Sequence, residues 1–181
     1  MIDVDPWSYS RAKAFETCPK QFYHTKILKE YPQPETEAMR YGTDVHLACE
    51  EYIRDGKDLP KKYEQFRGVL DALNTKPGIK YCEHRMGLTA DLEPCEFDAE
   101  YVWYRGIVDL LIIDGDRAWI VDYKTGKSAR YADTGQLELM ALSVFKHFPE
   151  IKTVNAGLLF LVSNNFIKAK LASPRPCFLG T

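Results

Sequence analysis

The sequence predicts an α/β domain in which helices come first and a mixed sheet follows in the order β-β-β-α-β. Three observations predict it. Apolar residues recur at helical spacing before residue 75 and again over 133–147. Two β-rich runs, 104–113 and 117–124, flank an Asp-Gly turn, as in a hairpin. A nearly all-apolar run within 154–162 suits a strand covered on both faces.

Each element has its own reason. Residues 9–17 form a short helix that Ser10 can cap, with Ala12 and Phe15 on one face. Pro19 suits the first turn of a second helix reaching about Leu28, with Phe22, Tyr23 and Ile27 inward. Helical pattern resumes near Thr43 and lasts to Arg54, placing Val45, Cys49 and Tyr52 about one turn apart, with Gly56 as the stop. A further helix follows Pro60 and turns Tyr63, Phe66, Val69, Leu70 and Leu73 to the core. From Tyr81 to Leu88 the chain alternates Cys82, His84, Met86 and Leu88 against Glu83, Arg85 and Gly87, the period of a strand. Phe97 to Val102 is a second strand or a lead-in to the hairpin. The helix over 133–147 carries Leu137, Met140, Ala141, Val144 and Phe148 on one face and ends at Pro149. Residues 166–181 read as an irregular tail. The expectation is one domain over 1–181, with a helical cap region over 1–75 and an α/β core over 80–165.

The 181 residues are 45% hydrophobic and 28% charged, as in an ordinary folded domain. No stretch approaches the ~20 apolar residues that span a bilayer. Met1 to Pro6 is acidic and lacks the parts of a secretory signal, so a cytoplasmic protein without a membrane partner is expected. The five cysteines are scattered, with no C-x-x-C pair. This favours reduced thiols and argues against a zinc or iron–sulfur site, whose ligands commonly come in close pairs. Net charge is −2. A polyanion would therefore need segregated charge, acids in a pocket and bases on a rim. Arg11, Lys13, Lys20, Lys26 and Lys29 permit such a rim, or simply a solvated helix face.

The chemistry concentrates in the hairpin. Asp109 sits among Ile107, Val108, Leu110 and Leu111, and Asp122 is flanked by Ile120, Val121 and Tyr123. Carboxylates in apolar runs are costly to bury unless paired or bound to a cation. Asp122 and Lys124, two apart on a strand, project together. Asp109 can approach the same end of the sheet, although its register is open. Two carboxylates and an ammonium suit phosphodiester hydrolysis: the acids hold Mg²⁺ or Mn²⁺, and the lysine orients or deprotonates water, or stabilises the transition state.

These residues carry a resemblance. Gly106-Ile107-Val108-Asp109 followed by Ile120-Val121-Asp122-Tyr123-Lys124-Thr125-Gly126 resembles the core of the PD-(D/E)XK nuclease superfamily, in its RecB-like branch of phage recombination and CRISPR-adaptation exonucleases. Tyr9-Ser10-Arg11 through Cys18-Pro19-Lys20-Gln21-Phe22, the Gly42 to His46 segment and Gln136 resemble further motifs of that branch. The resemblance implies a restriction-endonuclease-like core with N-terminal helices. It implies that Asp109, Asp122, His46 and the backbone carbonyl of Tyr123 are metal ligands, and that Lys124 is the catalytic lysine. Glu83 matches an acidic residue of the first core strand, or lines a solvent face. Gln136 helps position substrate or lysine, or caps its helix from three residues after Asp133. Arg11, Lys13, Lys20, Lys127 and Arg130 are candidate contacts to DNA phosphates. The implied activity is a metal-dependent deoxyribonuclease, exonucleolytic by analogy, acting in recombination, repair or phage DNA processing. A helicase or annealing protein, or an oligomer, is the partner the resemblance implies alongside DNA ends. Two departures stand out: Met140 replaces the tyrosine usual four residues after the glutamine, and only Cys177 follows the core to join Cys18 where cluster-bearing members carry a group of cysteines, against an iron–sulfur cluster. The alternatives are a non-catalytic DNA-binding or assembly module of the same fold, and a metal-binding protein that is not a nuclease.

Overall fold

A computed structural model describes residues 5–32, 34–126 and 133–172. Its elements are α1 (Tyr9–Thr17), α2 (Pro19–Phe22), α3 (Glu37–Asp55), α4 (Arg67–Asn74), β1 (Ile79–Leu88), β2 (Pro94–Cys95), β3 (Tyr104–Asp114), β4 (Arg117–Lys124), α5 (Gly135–His147), β5 (Thr153–Phe160) and β6 (Asn165–Ala172). A π-helical turn (Tyr23–Ile27) prolongs α2, and a 3₁₀ helix (Lys61–Phe66) leads into α4. The six strands form one mixed sheet in the order β2-β1-β3-β4-β5-β6. Only the β4–β5 pairing is parallel, because α5 lies in the crossover between them. The expected mixed sheet with β-β-β-α-β order is present.

Two cores sandwich the sheet. On one face α3, the 3₁₀ helix and α4 cover Leu110, Ile112, Val121, Tyr123 and Leu159 with Val45, Cys49, Tyr63, Phe66 and Leu70. On the other, α5 lays Leu137, Met140, Ala141 and Val144 over Val108, Leu111, Ile120, Val154 and Leu158. Residues from both phases of β5 are buried, as its apolar run predicts. Gly56 ends α3 in the left-handed region at φ 67, where a side chain would be strained.

The structure corrects several expectations. Ser8, not Ser10, caps α1, because its hydroxyl accepts from the Arg11 N–H. Tyr23 is exposed, and α3 starts at Glu37, capped by Thr36, with Met39 and Tyr41 in its opening turns exposed rather than turned to the core. Residues 97–102 make turns (Ala99 N–H to Glu96 O, Val102 N–H to Ala99 O), and the short strand there is Pro94–Cys95. In the hairpin Asp114 pairs with Arg117, so Gly115 and Asp116 form the turn, with Gly115 at φ 57. The region read as an irregular tail opens with β6, whose Ile167, Ala169 and Leu171 pack on the α5-side core while Lys168 and Lys170 face away. That alternation was present in the sequence, masked by its lysines. Residues 173–181 lie outside the described residues.

Candidate metal centre

The decisive local feature is a slip in strand alternation. In β1, Cys82 packs toward α3 while Tyr81 and Met86 pack toward α5. In β3, Leu110 packs toward α3 but Val108 toward α5. Regular period two would put Cys82 with Met86 and Leu110 with Val108. Both strands therefore change phase at one level, between Cys82↔Leu110 and His84↔Val108, where Glu83 lies opposite Asp109. Glu83 has φ 49, a left-handed conformation uncommon outside glycine and a reservoir of strain often found at sites. The alternation that assigned Cys82, His84, Met86 and Leu88 to one face fails here for that reason. The β3–β4 ladder ends at Leu110↔Val121, and Asp109 and Asp122 are the next residues along the two strands. Glu83, Asp109 and Asp122 thus lie in one row across three neighbouring strands. Like charges directly opposite each other destabilise a sheet unless something offsets them.

Helices complete the site from both sides. From α3, His46 sets Nδ1 3.4 Å from Asp109 Oδ1. The Tyr123 amide N–H donates to Asp109 Oδ2 at 2.6 Å and fixes that carboxylate. From α5, the Gln136 amide donates from Nε2 to Asp122 Oδ1 at 2.8 Å and accepts from Lys124 Nζ at Oε1, 3.0 Å. Lys124 Nζ lies 2.6 Å from Asp122 Oδ2, an ion contact to a buried oxygen that has no aligned hydrogen bond. Gln136 is therefore a link between acid and ammonium. Asp133 accepts from the Gly135 N–H at the start of α5, so the capping role considered for Gln136 is not the one its side chain takes.

Electrostatics follow from this crowding. Burial, then the charge of Asp109, raises the Asp122 carboxyl to about 6, although Lys124 pulls the other way. Burial and Asp109 also raise Glu83. Burial alone would lower His46, but its hydrogen bond to Asp109 and the charges of Asp109, Asp122 and Glu83 raise it overall. Glu83 and Asp122 are thus costly to ionise beside Asp109, and Lys124 offsets part of that cost at Asp122.

A divalent cation fits three of these residues, His46, Glu83 and Asp109, a group that does not include Asp122. His46, Glu83 and Asp109 each offer a ligand atom, all within 4.8 Å of one another. Mixed carboxylate and imidazole donors suit a hard or borderline divalent ion. A cavity of about 450 Å³, lined by Gly42, Thr43, His46, Leu47, Glu50 and Glu83, opens onto them. Glu50 was missed in the sequence. The signal was its spacing, one turn after His46 on the same helix, and its carboxylate pairs with Arg54.

The remaining expected residues divide. Lys13 spends its ammonium on Glu16 at 3.2 Å and on Asp133 at 3.3 Å, tying α1 to the start of α5. Lys20 lines a separate depression with Cys18, Gln21, His24, Thr25 and Tyr31. Arg11 lines a cavity shared with Gln136. The Tyr123 amide contacts the site. Cys18 is half-exposed, and its sulfur caps α2 by accepting from the Gln21 N–H. Lys127 and Arg130 lie outside the described residues. Among the described residues no helix is long and apolar enough to cross a membrane.

No curated protein matches the chain. Among solved structures, one described as the crystal structure of SSO0001 is similar at 11% identity and a TM-score of 0.41, over 91% of this chain and 62% of that one. The chain thus spans less than two thirds of that protein's length. The family model described as the PD-(D/E)XK nuclease superfamily matches residues 6–170, a span that holds the whole carboxylate row with Lys124 and Gln136. On that match, the chain belongs to the PD-(D/E)XK nuclease superfamily.

Proposed function

We propose that the protein is a divalent-metal-dependent deoxyribonuclease that hydrolyses phosphodiester bonds. The observation that carries this reading is the row Glu83, Asp109 and Asp122, flanked by His46 on one side and Lys124 on the other. His46, Glu83, Asp109 and Asp122 hold the cation, with the Tyr123 carbonyl as a further donor. Mg²⁺ or Mn²⁺ held there supplies Lewis-acid stabilisation of the phosphate and lowers the pKa of attacking water. Tyr123, through its amide, keeps Asp109 turned toward His46. Lys124 orients or deprotonates the water, or meets charge developing on the phosphate, and Gln136 holds it in place.

We favour exonucleolytic action on single strands or resected duplex ends, in DNA recombination, repair or phage DNA processing, with a helicase or annealing protein delivering substrate and an oligomer as a possible working form. Residues 1–75 act as a helical cap and 80–165 as the catalytic core of one domain. The test is cleavage of end-labelled single- and double-stranded DNA with Mg²⁺, with Mn²⁺ and with chelator, beside Lys124→Ala and Asp122→Ala. Metal-dependent cleavage abolished in both variants is the expected result. Cleavage indifferent to both substitutions refutes the mechanism, and tight binding with no cleavage in the wild type assigns a non-catalytic module instead.

A further inference from the structure

We propose that the cavity between the N-terminal segment, β3 and the start of α5 is a phosphate subsite, with Arg11 and Arg105 as its ligands. The proposal rests on the nuclease reading for the identity of the ligand, a phosphate group of DNA. The cavity measures about 510 Å³, and Ser8, Ser10, Arg11, Arg105 and Gln136 are among its lining residues.

Both guanidinium groups are built into the fold. Arg11, its side chain 14% exposed, lies over the Phe22 ring at 5.2 Å. Phe22 in turn stacks on Trp7 at 5.8 Å. Arg105, its side chain 31% exposed, lies over Phe97 at 5.1 Å. The backbone joins the two sides, since the Arg105 N–H donates to Trp7 O at 2.8 Å. Stacking on a ring face constrains the plane of each fork and leaves its N–H edge free of the ring.

That edge is underused. Arg11 Nε and Nη2 and Arg105 Nε are buried without a hydrogen-bond partner among the described residues. Arg11 Nη1 reaches Asp5 Oδ2 at 3.3 Å, and Arg105 Nη2 lies 3.7 Å from Asp98 Oδ1. Asp5 lines the cavity and also lies 3.8 Å from Lys29 Nζ, while Asp98 is largely exposed. The Ser8 and Ser10 hydroxyls bond each other at 3.1 Å and add neutral donors to the wall. Buried donors of a native protein normally have partners, and a guanidinium fork matches phosphate oxygens in number and geometry. A phosphate satisfies what the protein leaves unmet.

Position gives the subsite its meaning. Gln136 lines this cavity and also bonds Asp122 and Lys124. A strand whose scissile phosphate lies at the carboxylate row would therefore place another of its phosphates between the arginines. That group is either an internal phosphodiester or a terminal monoester.

Binding without cleavage separates this proposal from the proposed function. In chelator, anisotropy of a 3′-labelled single-stranded oligonucleotide, with a 5′-phosphate or a 5′-hydroxyl, is followed against salt. The proteins are wild type, Arg11→Gln, Arg105→Gln and the control Lys152→Gln, whose lysine pairs with Asp116 beyond the hairpin turn. Each arginine variant is expected to bind roughly tenfold more weakly, as the loss of a hydrogen bond to a charged group predicts, with a salt slope lower by about one. The Lys152 variant is expected to bind as wild type. Loss confined to the 5′-phosphorylated strand assigns a terminal monoester, and equal loss on both strands assigns an internal phosphodiester. Arg11→Lys and Arg105→Lys, which keep the charge and lose the fork, provide the same reading should a glutamine variant fold poorly by circular dichroism. Wild-type affinity and salt slope in folded arginine variants overturn the proposal. An absence of metal-dependent cleavage by the wild type is a different result and counts against the nuclease reading instead.

Discussion

Asp122→Asn should make the metal-free protein more stable as pH rises, relative to wild type. The Asp122 side chain is 5% exposed and holds its proton to about 6, against an ordinary 3.8. The stability lent by the protonated carboxyl is therefore complete below about pH 4 and is lost as pH climbs through about 6. The gap corresponds to about 3 kcal/mol, an upper bound because the titration of Asp122 is tied to the charges around it. Asparagine keeps the shape without the charge. It leaves Lys124 without its counter-ion, at small cost because that ammonium is one-third exposed. Urea unfolding in chelator from pH 4 to 8 measures the difference directly. The variant should match wild type near the acid end and exceed it by up to about 3 kcal/mol at the alkaline end. Added Mg²⁺ or Mn²⁺ should reverse the order, since only wild type gains binding energy in the folded state. A difference that stays flat across the range would refute the account of a strained buried carboxylate.

Gln136→Leu removes the link between Asp122 and Lys124 and is expected to lower cleavage about 10- to 100-fold, as loss of an orienting partner does at a metal site. Cation-induced thermal stabilisation should largely survive, and an equal loss of both would assign Gln136 to cation binding rather than to positioning. Gly78 has φ 110, and a Cβ there would lie 2.3 Å from the Ile113 carbonyl oxygen. Gly78→Ala should therefore cost about 3 kcal/mol, or roughly 6–12 °C in Tm, whereas Gly115→Ala, strained at φ 57 but in open space, should cost about 1 kcal/mol. Equal costs in calorimetry would show that backbone conformation alone, not close approach, sets both values.

Much of this arrangement was legible in the chain. Helical periodicity found the cores of α3, α4 and α5, and the hairpin declared itself through β-rich runs about a turn. Asp122 and Lys124 followed from period two alone, because β4 is regular. Asp109 and Glu83 did not, since their placement depends on a phase slip that two strands make together and that neither segment encodes alone. Gln136 could equally have faced its own helix end; only packing of α5 on the sheet turns it to Asp122. β6 was missed because an edge strand buries one narrow row, and its lysines read as polar tail. Arg105 was missed because its role depends on Trp7 and Phe97 reaching it from distant parts of the chain.

The change of phase at Glu83 and Asp109 has a consequence for cooperativity. His46 arrives from the α3 layer and Gln136 from the α5 layer, and they meet carboxylates of adjacent strands through the sheet between them. Neither layer can come away without breaking its contact to one of these carboxylates. Cation binding therefore should not tighten one element locally but raise the free energy of opening for both helical layers together, so that amides in α3 and α5 slow their hydrogen exchange in step.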